Sequence, residues 1–411
     1  MSSVLVVGFN VRPLARSAKK AGLKVLAVDF WGDLDLIQWA DEQLAVLDQQ
    51  PNQRPDRPQI STADALVNGV QQLLEKAGPV DHIIASGGFD DHPEAWKRLG
   101  KLAPLAGNTT EAMINARDRQ MTSKIAKKYG AALPTSFEVI SHKRFRVAVN
   151  KLELPILVKP KCGSGGFHTR VLESEADLEN YADRHHFSVA DPILVQNLID
   201  GTDTSVSILG NGQEAVTVSV NEQLIGLPEL GKRRTKAYCG NIIPLETSPE
   251  IKDHLATVSQ EISCHLGFQG SNGFDFVVDP SGTPYFMEIN PRVQATIEAI
   301  ELVSNVNVVS LHLQACQGHL PKDKPKIRAF CTRVIVYAQT DCEIPNLSNF
   351  PGIADIPMPG SVASRGDPVC TVNHIAATRK AALDGAWDIV KTIYNNLRPV
   401  HQIQKEENNN K

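Results

Sequence analysis

Two apolar segments, Gly273–Val278 and Tyr285–Ile289, flank Asp279-Pro280-Ser281-Gly282, turn chemistry that calls for an antiparallel hairpin. Such a hairpin fixes which side chains meet. Side chains alternate between the two faces of a strand, so Asp275 and Glu288 come close to opposite each other. Asn290, two residues on, projects on the same face. Pro291 and Arg292 follow. Two carboxylates, an amide oxygen and an arginine on one face make a hard-cation site, because magnesium takes a few oxygen ligands and leaves the rest to water and phosphate. Carboxylates this close repel unless a cation or a proton lies between them. The bland alternative is a solvated polar face in which Arg292 pairs with Glu288.

The rest of the chain alternates strand and helix signals. Val4–Val7 is a β-branched run, Gly8-Phe9-Asn10 turns the chain, Arg12–Ala21 reads as a helix and Lys24–Asp29 as a second strand, which predicts a right-handed parallel unit. Asp81–Ser86 reads as a later strand of that sheet, ending in Gly87-Gly88-Phe89-Asp90-Asp91. The proline-rich stretch from Gln49 to Pro58 reads as a surface loop. A dinucleotide site wants Gly-x-Gly-x-x-Gly after the first strand; Gly8 stands alone, so NAD binding is rejected. Thr109 or Thr110 is expected to cap a helix, and Asp118 to open another that stops at Gly130. Strands are expected at Ile156–Lys159, Ile193–Asn197 and near Phe330–Tyr337, and helices near Ser174–Arg184 and Thr378–Leu397.

Composition narrows the function classes. The 411 residues carry a net charge of −4 and 6% aromatics, without the basic face of a nucleic-acid binder. No apolar run spans a bilayer, and the N-terminus does not read as a signal peptide. Seven widely spaced cysteines suggest neither a disulfide framework nor a metal site. A reduced, cytoplasmic protein with no nucleic-acid or membrane partner is the expectation. Cys162, Cys239 and His168 are read as packing residues.

Two weaker signals add to the hairpin. Lys159 ends a strand and Lys161-Cys162-Gly163-Ser164-Gly165-Gly166 follows. Glycines let backbone amides turn toward phosphate oxygens, and Lys159 supplies a charge, although the spacing is not that of a P-loop. Then Val195 to Asp203 is a strand running into a loop, whose end offers backbone groups to an adenine edge. Taken singly, each is as readily an ordinary hairpin loop or strand end.

In order, Asp118-Arg119, the Lys159 strand, the glycine loop, Gln196–Asp203, Asp275 and Glu288-x-Asn290-Pro291-Arg292 resemble the ATP-grasp superfamily. Gly8-Phe9-Asn10 with Arg12, Gly87 to Asp91, Gly107-Asn108 and Tyr238-Cys239-Gly240-Asn241 resemble its biotin-carboxylase-like "predicted ATP-dependent carboligase" group. The resemblance implies mixed α/β and α+β architecture: a pre-ATP-grasp, Rossmann-like domain at 1–110, a two-lobed ATP-grasp domain at 111–320 with its lid at about 111–195, a small α+β cap at 321–402, and a disordered tail at 403–411. It implies that Arg119 and Lys159 hold the nucleotide phosphates. Gly163, Ser164, Gly165 and Gly166 would close over them, Gln196 and Leu198 would read adenine, and Asp203 would bind ribose. Asp275, Glu288 and Asn290 would hold one or two magnesium ions, which manganese could replace. Arg292 would steady the transferred phosphoryl group. Lys236 and Arg333 are expected catalytic contacts, and Arg234 or Lys236 would meet an anionic substrate. Thr296 stands where carboxylases of this branch carry a glutamate base, Glu298 lies two residues on, and no biotin-accepting segment is seen. The implied activity is an ATP- and magnesium-dependent, ADP-forming ligase that activates a carboxylate as an acyl phosphate and joins it to an amine. A bicarbonate-using carboxylase and a non-catalytic ATP sensor are the alternatives. Small-molecule carboxylate and amine substrates are the implied partners, and a homodimer is compatible with the resemblance.

Overall fold

The computed structural model describes residues 2–163, 165–166, 168–232 and 235–400. The expected roles of Ser164 and Arg234, and the disordered tail, therefore lie outside the described residues.

The entry domain begins β1 (Ser3–Gly8), α1 (Arg12–Lys20), β2 (Lys24–Asp29), β3 (Glu42–Ala45), α2 (Thr62–Ala77), β4 (His82–Ala85) and α3 (Pro93–Leu102). Its sheet runs β3-β2-β1-β4, parallel throughout, as the strand–helix–strand pattern required. Val4, Leu5, Val6 and Val7 are all buried: Val4 and Val6 enter the core on one face of the sheet, and Leu5 and Val7 the core on the other. Burial on both faces is why these strands read as continuous apolar runs.

Next come α4 (Thr110–Arg117) and α5 (Arg119–Lys128). Thr109 Oγ1 accepts from Ala112 N at 3.1 Å and Asp118 Oδ1 from Met121 N at 2.9 Å, the side-chain caps foreseen. The lid sheet comprises β5 (Ser136–Val139), β6 (Ile156–Pro160), β7 (Arg170–Leu172) and β8 (Ile193–Asn197) in the order β5-β8-β6-β7, with helices α6 (His142–Val149) and α7 (Glu175–Arg184). The lid thus starts near residue 136, because α4 and α5 share a core with the body instead.

The body is one eight-stranded sheet, β13-β12-β9-β10-β11-β14-β18-β16. Its members are β9 (Thr202–Asn211), β10 (Ala215–Ile225), β11 (Tyr238–Ile243), β12 (Gln269–Val278), β13 (Pro284–Asn290), β14 (Phe330–Tyr337), β16 (Ile353–Ala354) and β18 (Pro368–Ala376). Helix α8 (Pro249–His265) lies among the body strands, and α9 (Ile297–Val303) and α10 (Val308–Cys316) follow β13. A small sheet of β15 (Cys342–Glu343), β17 (Val362–Ala363) and β19 (Arg398–Pro399), with α11 (Arg379–Asn396), completes the cap. The pairing of β11 with β14 runs from Gly240↔Val334 to Ile243↔Cys331, so the sheet passes unbroken from the body into the cap despite the polar linker between them.

The proline-rich loop near residues 49–58 is largely exposed, as expected, yet it is docked on the cap. Asn52 N donates to Gly360 O (2.8 Å), Val362 N to Gln53 O (3.0 Å), and Arg54 and Arg57 pair with Asp341 and Asp367. Among the described residues no helix is long and apolar enough to cross a membrane.

Candidate active site

A cleft of about 1090 Å³ opens between the lid and the body. Register explains its metal-like corner. Asp275 pairs directly with Glu288 across β12 and β13, and Gly273 with Asn290, so all three side chains of the foreseen set share one face. Asn290 Nδ2 donates to Asp275 Oδ2 at 2.8 Å and Gln223 Nε2 to Asp275 Oδ1 at 3.0 Å. Burial, together with the facing Glu288, still pushes the Asp275 carboxyl up to about 7. The two amides and the Arg292 charge offset this only in part, so the corner favours a cation or a proton between its carboxylates.

Two cations share the cleft with this corner. Burial pushes Lys159 and Arg119 down, although Glu288 partly opposes it. Both line the cleft, as do Gly163, Gly165, Gly166, Gln196, Leu198, Asp203, Lys236, Asp275, Glu288, Asn290 and Arg292. Gln196 lies in β8 and is buried, and its Oε1 has no hydrogen-bond partner; an orphaned buried acceptor in a cleft wall fits a ligand donor such as an adenine amino group. At Gly166 the backbone has φ +68 and approaches Lys236 so closely that a β-carbon would collide with its carbonyl. Tyr238 N also donates to Gly165 O at 3.0 Å, so the glycine loop is packed onto the body.

Several residues stand differently from their sequence reading. Arg292 pairs with Asp90 of the entry domain at 2.9 Å, not with Glu288. Lys236 Nζ lies 3.1 Å from Asp203, so the two are partners in the cleft. Arg333, expected as a catalytic contact, is not among the cleft-lining residues. It is 2% exposed, bonded through Nη2 to Asp355 (3.3 Å) and Thr371 (3.2 Å), with Nε and Nη1 unpartnered. It stands opposite Asn241 across β11 and β14, and Asn241 does line the cleft. Cys162 and His168 are exposed rather than packed, while Cys239 is buried.

Glu298 is turned away from the cleft. Its carboxylate takes both terminal nitrogens of Arg12, with Nη1 at 2.8 Å from Oε1, and Arg12 Nε reaches Asp355 at 2.6 Å. Arg12 thereby joins entry domain, body and cap. Burial alone would raise Glu298 and Asp355, but Arg12 outweighs it and holds Glu298 below its usual value. Arg12 with Arg333 does the same for Asp355, which falls to about 2. Sequence reading missed Asp90, Asp355 and Asn108. Asn108 Nδ2 donates to Pro291 O at 2.8 Å and to Asn272 Oδ1 at 2.5 Å. Only the motif likeness at Gly87–Asp91 and Gly107-Asn108 pointed toward two of these three.

Residues 116–296 match the ATP-grasp domain family. An uncharacterized protein of Methanocaldococcus jannaschii is 24% identical over 408 residues, covering 99% of this chain and 94% of that one. A carbamoyl phosphate synthase large chain of Clostridium acetobutylicum is 25% identical over 62% of this chain, which spans only 24% of that relative's length. Among solved structures, the biotin carboxylase domain of Hydrogenobacter thermophilus 2-oxoglutarate carboxylase, with MgADP, ADP and bicarbonate, superposes with a TM-score of 0.71 at 16% identity, covering 97% of this chain and 90% of that one. L-amino acid ligase from Bacillus licheniformis gives 0.67 at 16% identity, covering 95% and 97%. At such identities these two show the fold alone.

Proposed function

On the premise that residues 116–296 are an ATP-grasp domain within a biotin-carboxylase-like fold, we propose that the protein is an ATP- and magnesium-dependent, ADP-forming ligase that joins a carboxylate to an amine. The observation that carries this reading is the pair of facing carboxylates, Asp275 and Glu288, with Asp275 raised to about 7, in a cleft that two buried cations, Lys159 and Arg119, also line. The carboxylates suit a cation and the cations an anion, and a metal nucleotide supplies both.

In this reading Gln196 accepts from the adenine amino group, and Arg119, Lys159 and the amides of the glycine loop hold the phosphates. Asp275, Glu288 and Asn290 hold magnesium, which when bound neutralises charge on the phosphate oxygens. The substrate carboxylate oxygen attacks the terminal phosphorus and the bond to ADP breaks, giving an acyl phosphate. An amine then attacks the acyl carbon, the bond to phosphate breaks, and the amine proton is lost. Arg292, which lines the same cleft, would steady charge on the transferred group, and closure of the lid would keep water from the acyl phosphate. Lys236, with Asp203, closes the ribose side.

Amide formation is favoured over bicarbonate chemistry because no base stands in the carboxylase position. Thr296 occupies it, 3.4 Å from Ser207 Oγ, and Glu298 is committed to Arg12. The test is a coupled ADP-release screen over carboxylate and amine pairs. ADP and phosphate should form only when both substrates are present. AMP and pyrophosphate as products would overturn the acyl-phosphate route, and bicarbonate-stimulated ADP release without an amine would favour the carboxylase.

A further inference from the structure

Asp90 belongs to the entry domain, in the turn after β4, and only 5% of it is exposed. Both of its oxygens lie against a single atom of the body, Arg292 Nε, at 2.9 and 3.0 Å. The guanidinium rests over Gly87, 3.5 Å from where a β-carbon would stand. Its terminal nitrogens make longer bonds, Nη1 to Val293 O at 3.4 Å and Nη2 to Asn290 Oδ1 at 3.2 Å. A charge-assisted pair through Nε fixes the plane of the group and leaves the second hydrogen on each Nη as a donor for a ligand.

Arg292 has other suitors. Asp275 and Glu288 both attract it electrostatically, and Asn290 already bridges Nη2 to Asp275. A guanidinium free to choose would settle on that carboxylate pair and fill the cation corner itself. Arg117 does not explain why Asp90 is there. Its Nε is 3.1 Å from Asp91, and Nη2 is 3.8 Å from Asp90, so Arg117 has a carboxylate of its own.

We propose that Asp90 is a positioning residue for the reaction, one that acts through Arg292 by holding its guanidinium aimed at the cleft and off the Asp275–Glu288 corner. The entry domain then supplies the anchor of a group that works in another domain. This rests on the ligase reading above, in which Arg292 meets the transferred phosphoryl group.

The experiment is a double-mutant cycle of Asp90→Asn with Arg292→Ala, read as kcat for ADP release and as the magnesium concentration giving half-maximal rate. Asp90→Asn should lower kcat by about 10–100-fold, the usual effect of losing an outer partner of a site, and raise the magnesium requirement. Asp90→Glu should recover part of both. In the Arg292→Ala background Asp90→Asn should cost little more, because the two act as one unit. Unchanged kcat and magnesium requirement in Asp90→Asn would overturn the proposal, as would losses that multiply in the double variant, the sign of a merely structural role. Should Asp90→Asn not fold, Asp90→Glu carries the same test: a lowered kcat with a raised magnesium requirement supports the proposal, and wild-type values for both overturn it. Full turnover in Arg292→Ala alone would remove the ligase role of Arg292, a failure visible without touching Asp90.

Discussion

At the three-domain junction Arg12 meets Glu298 and Asp355, and Arg333 joins from β14 to meet Asp355. In the cleft Asp275 meets Glu288, and Lys159 and Arg119 line the same cleft. Both clusters are built from the same residue types, yet the physics pulls them in opposite directions. Opposite charge at the junction holds Glu298 and Asp355 ionised, although burial still raises Asp35, the third carboxylate on Arg12, to about 6. In the cleft burial and Glu288 drive Asp275 toward its neutral form, and burial lowers Lys159 and Arg119. A charge cluster whose partners come from within the chain is a fastening. One that leaves its charges under-compensated is waiting for partners from outside, which is how perturbed groups in clefts mark functional sites.

The sharpest way to break this comparison is to open the fastening. Arg12→Ala takes the shared cation from three buried carboxylates, Glu298, Asp355 and Asp35, leaving Arg16 beside Glu298 and Arg333 beside Asp355, and removal of one partner from a buried pair costs about 3–5 kcal/mol. A large drop in thermal midpoint is expected, measured by calorimetry, while the protein that remains folded still binds nucleotide. Lost turnover at unchanged thermal midpoint would place the junction in the catalytic machinery and erase the contrast.

The same operation in the cleft should have the opposite signature. Glu288→Ala is expected to lower ADP release by on the order of 10²–10³-fold, as loss of a group that stabilises developing charge does. Metal-free stability should rise slightly, by roughly 0.2–1 kcal/mol, because two like charges directly opposite in a sheet destabilise it. Full activity in this variant would sink the metal assignment.

The contrast also explains what could be read in advance. The Asp275–Glu288 pairing was legible because a turn of defined chemistry sets the register, and register sets which side chains face each other. The caps at Thr109 and Asp118 were legible because capping is local. Glu298 could not be placed, since its partner Arg12 lies 286 residues away and helix periodicity does not say which domain will cover a face. The bland alternative paired Arg292 with Glu288, its neighbour in sequence, whereas packing of the entry domain gave it Asp90. Arg333 read as a candidate catalytic contact, and only the continuation of the sheet from β11 into β14 explains its burial beside the cleft wall. The loop near residues 49–58 was legible as exposed but not as docked, because its partners on the cap are mostly backbone groups and scattered aspartates. Local chemistry was readable; the pairing of distant charges was not.

The mildest expected effect follows the cleft's proton. The Asp275 carboxyl titrates near 7, raised by burial and Glu288. A raised carboxyl pKa means that its contribution to metal-free stability is present in acid and is lost as the pH climbs through 7. Magnesium needs the ionised form, so its affinity runs the other way. The apparent magnesium affinity should weaken by up to about tenfold for each pH unit below 7, one proton being displaced per ion, and level off above it. Calorimetric titration of magnesium into the protein with ADP, repeated from pH 6 to pH 8, would show the slope. In Asp275→Asn both the slope and most of the affinity should vanish, because the proton that competes with the ion is gone together with the charge that attracts it. A pH-independent affinity in the unaltered protein would mean that the two facing carboxylates are already compensated, and the cleft would then be no less finished than the junction.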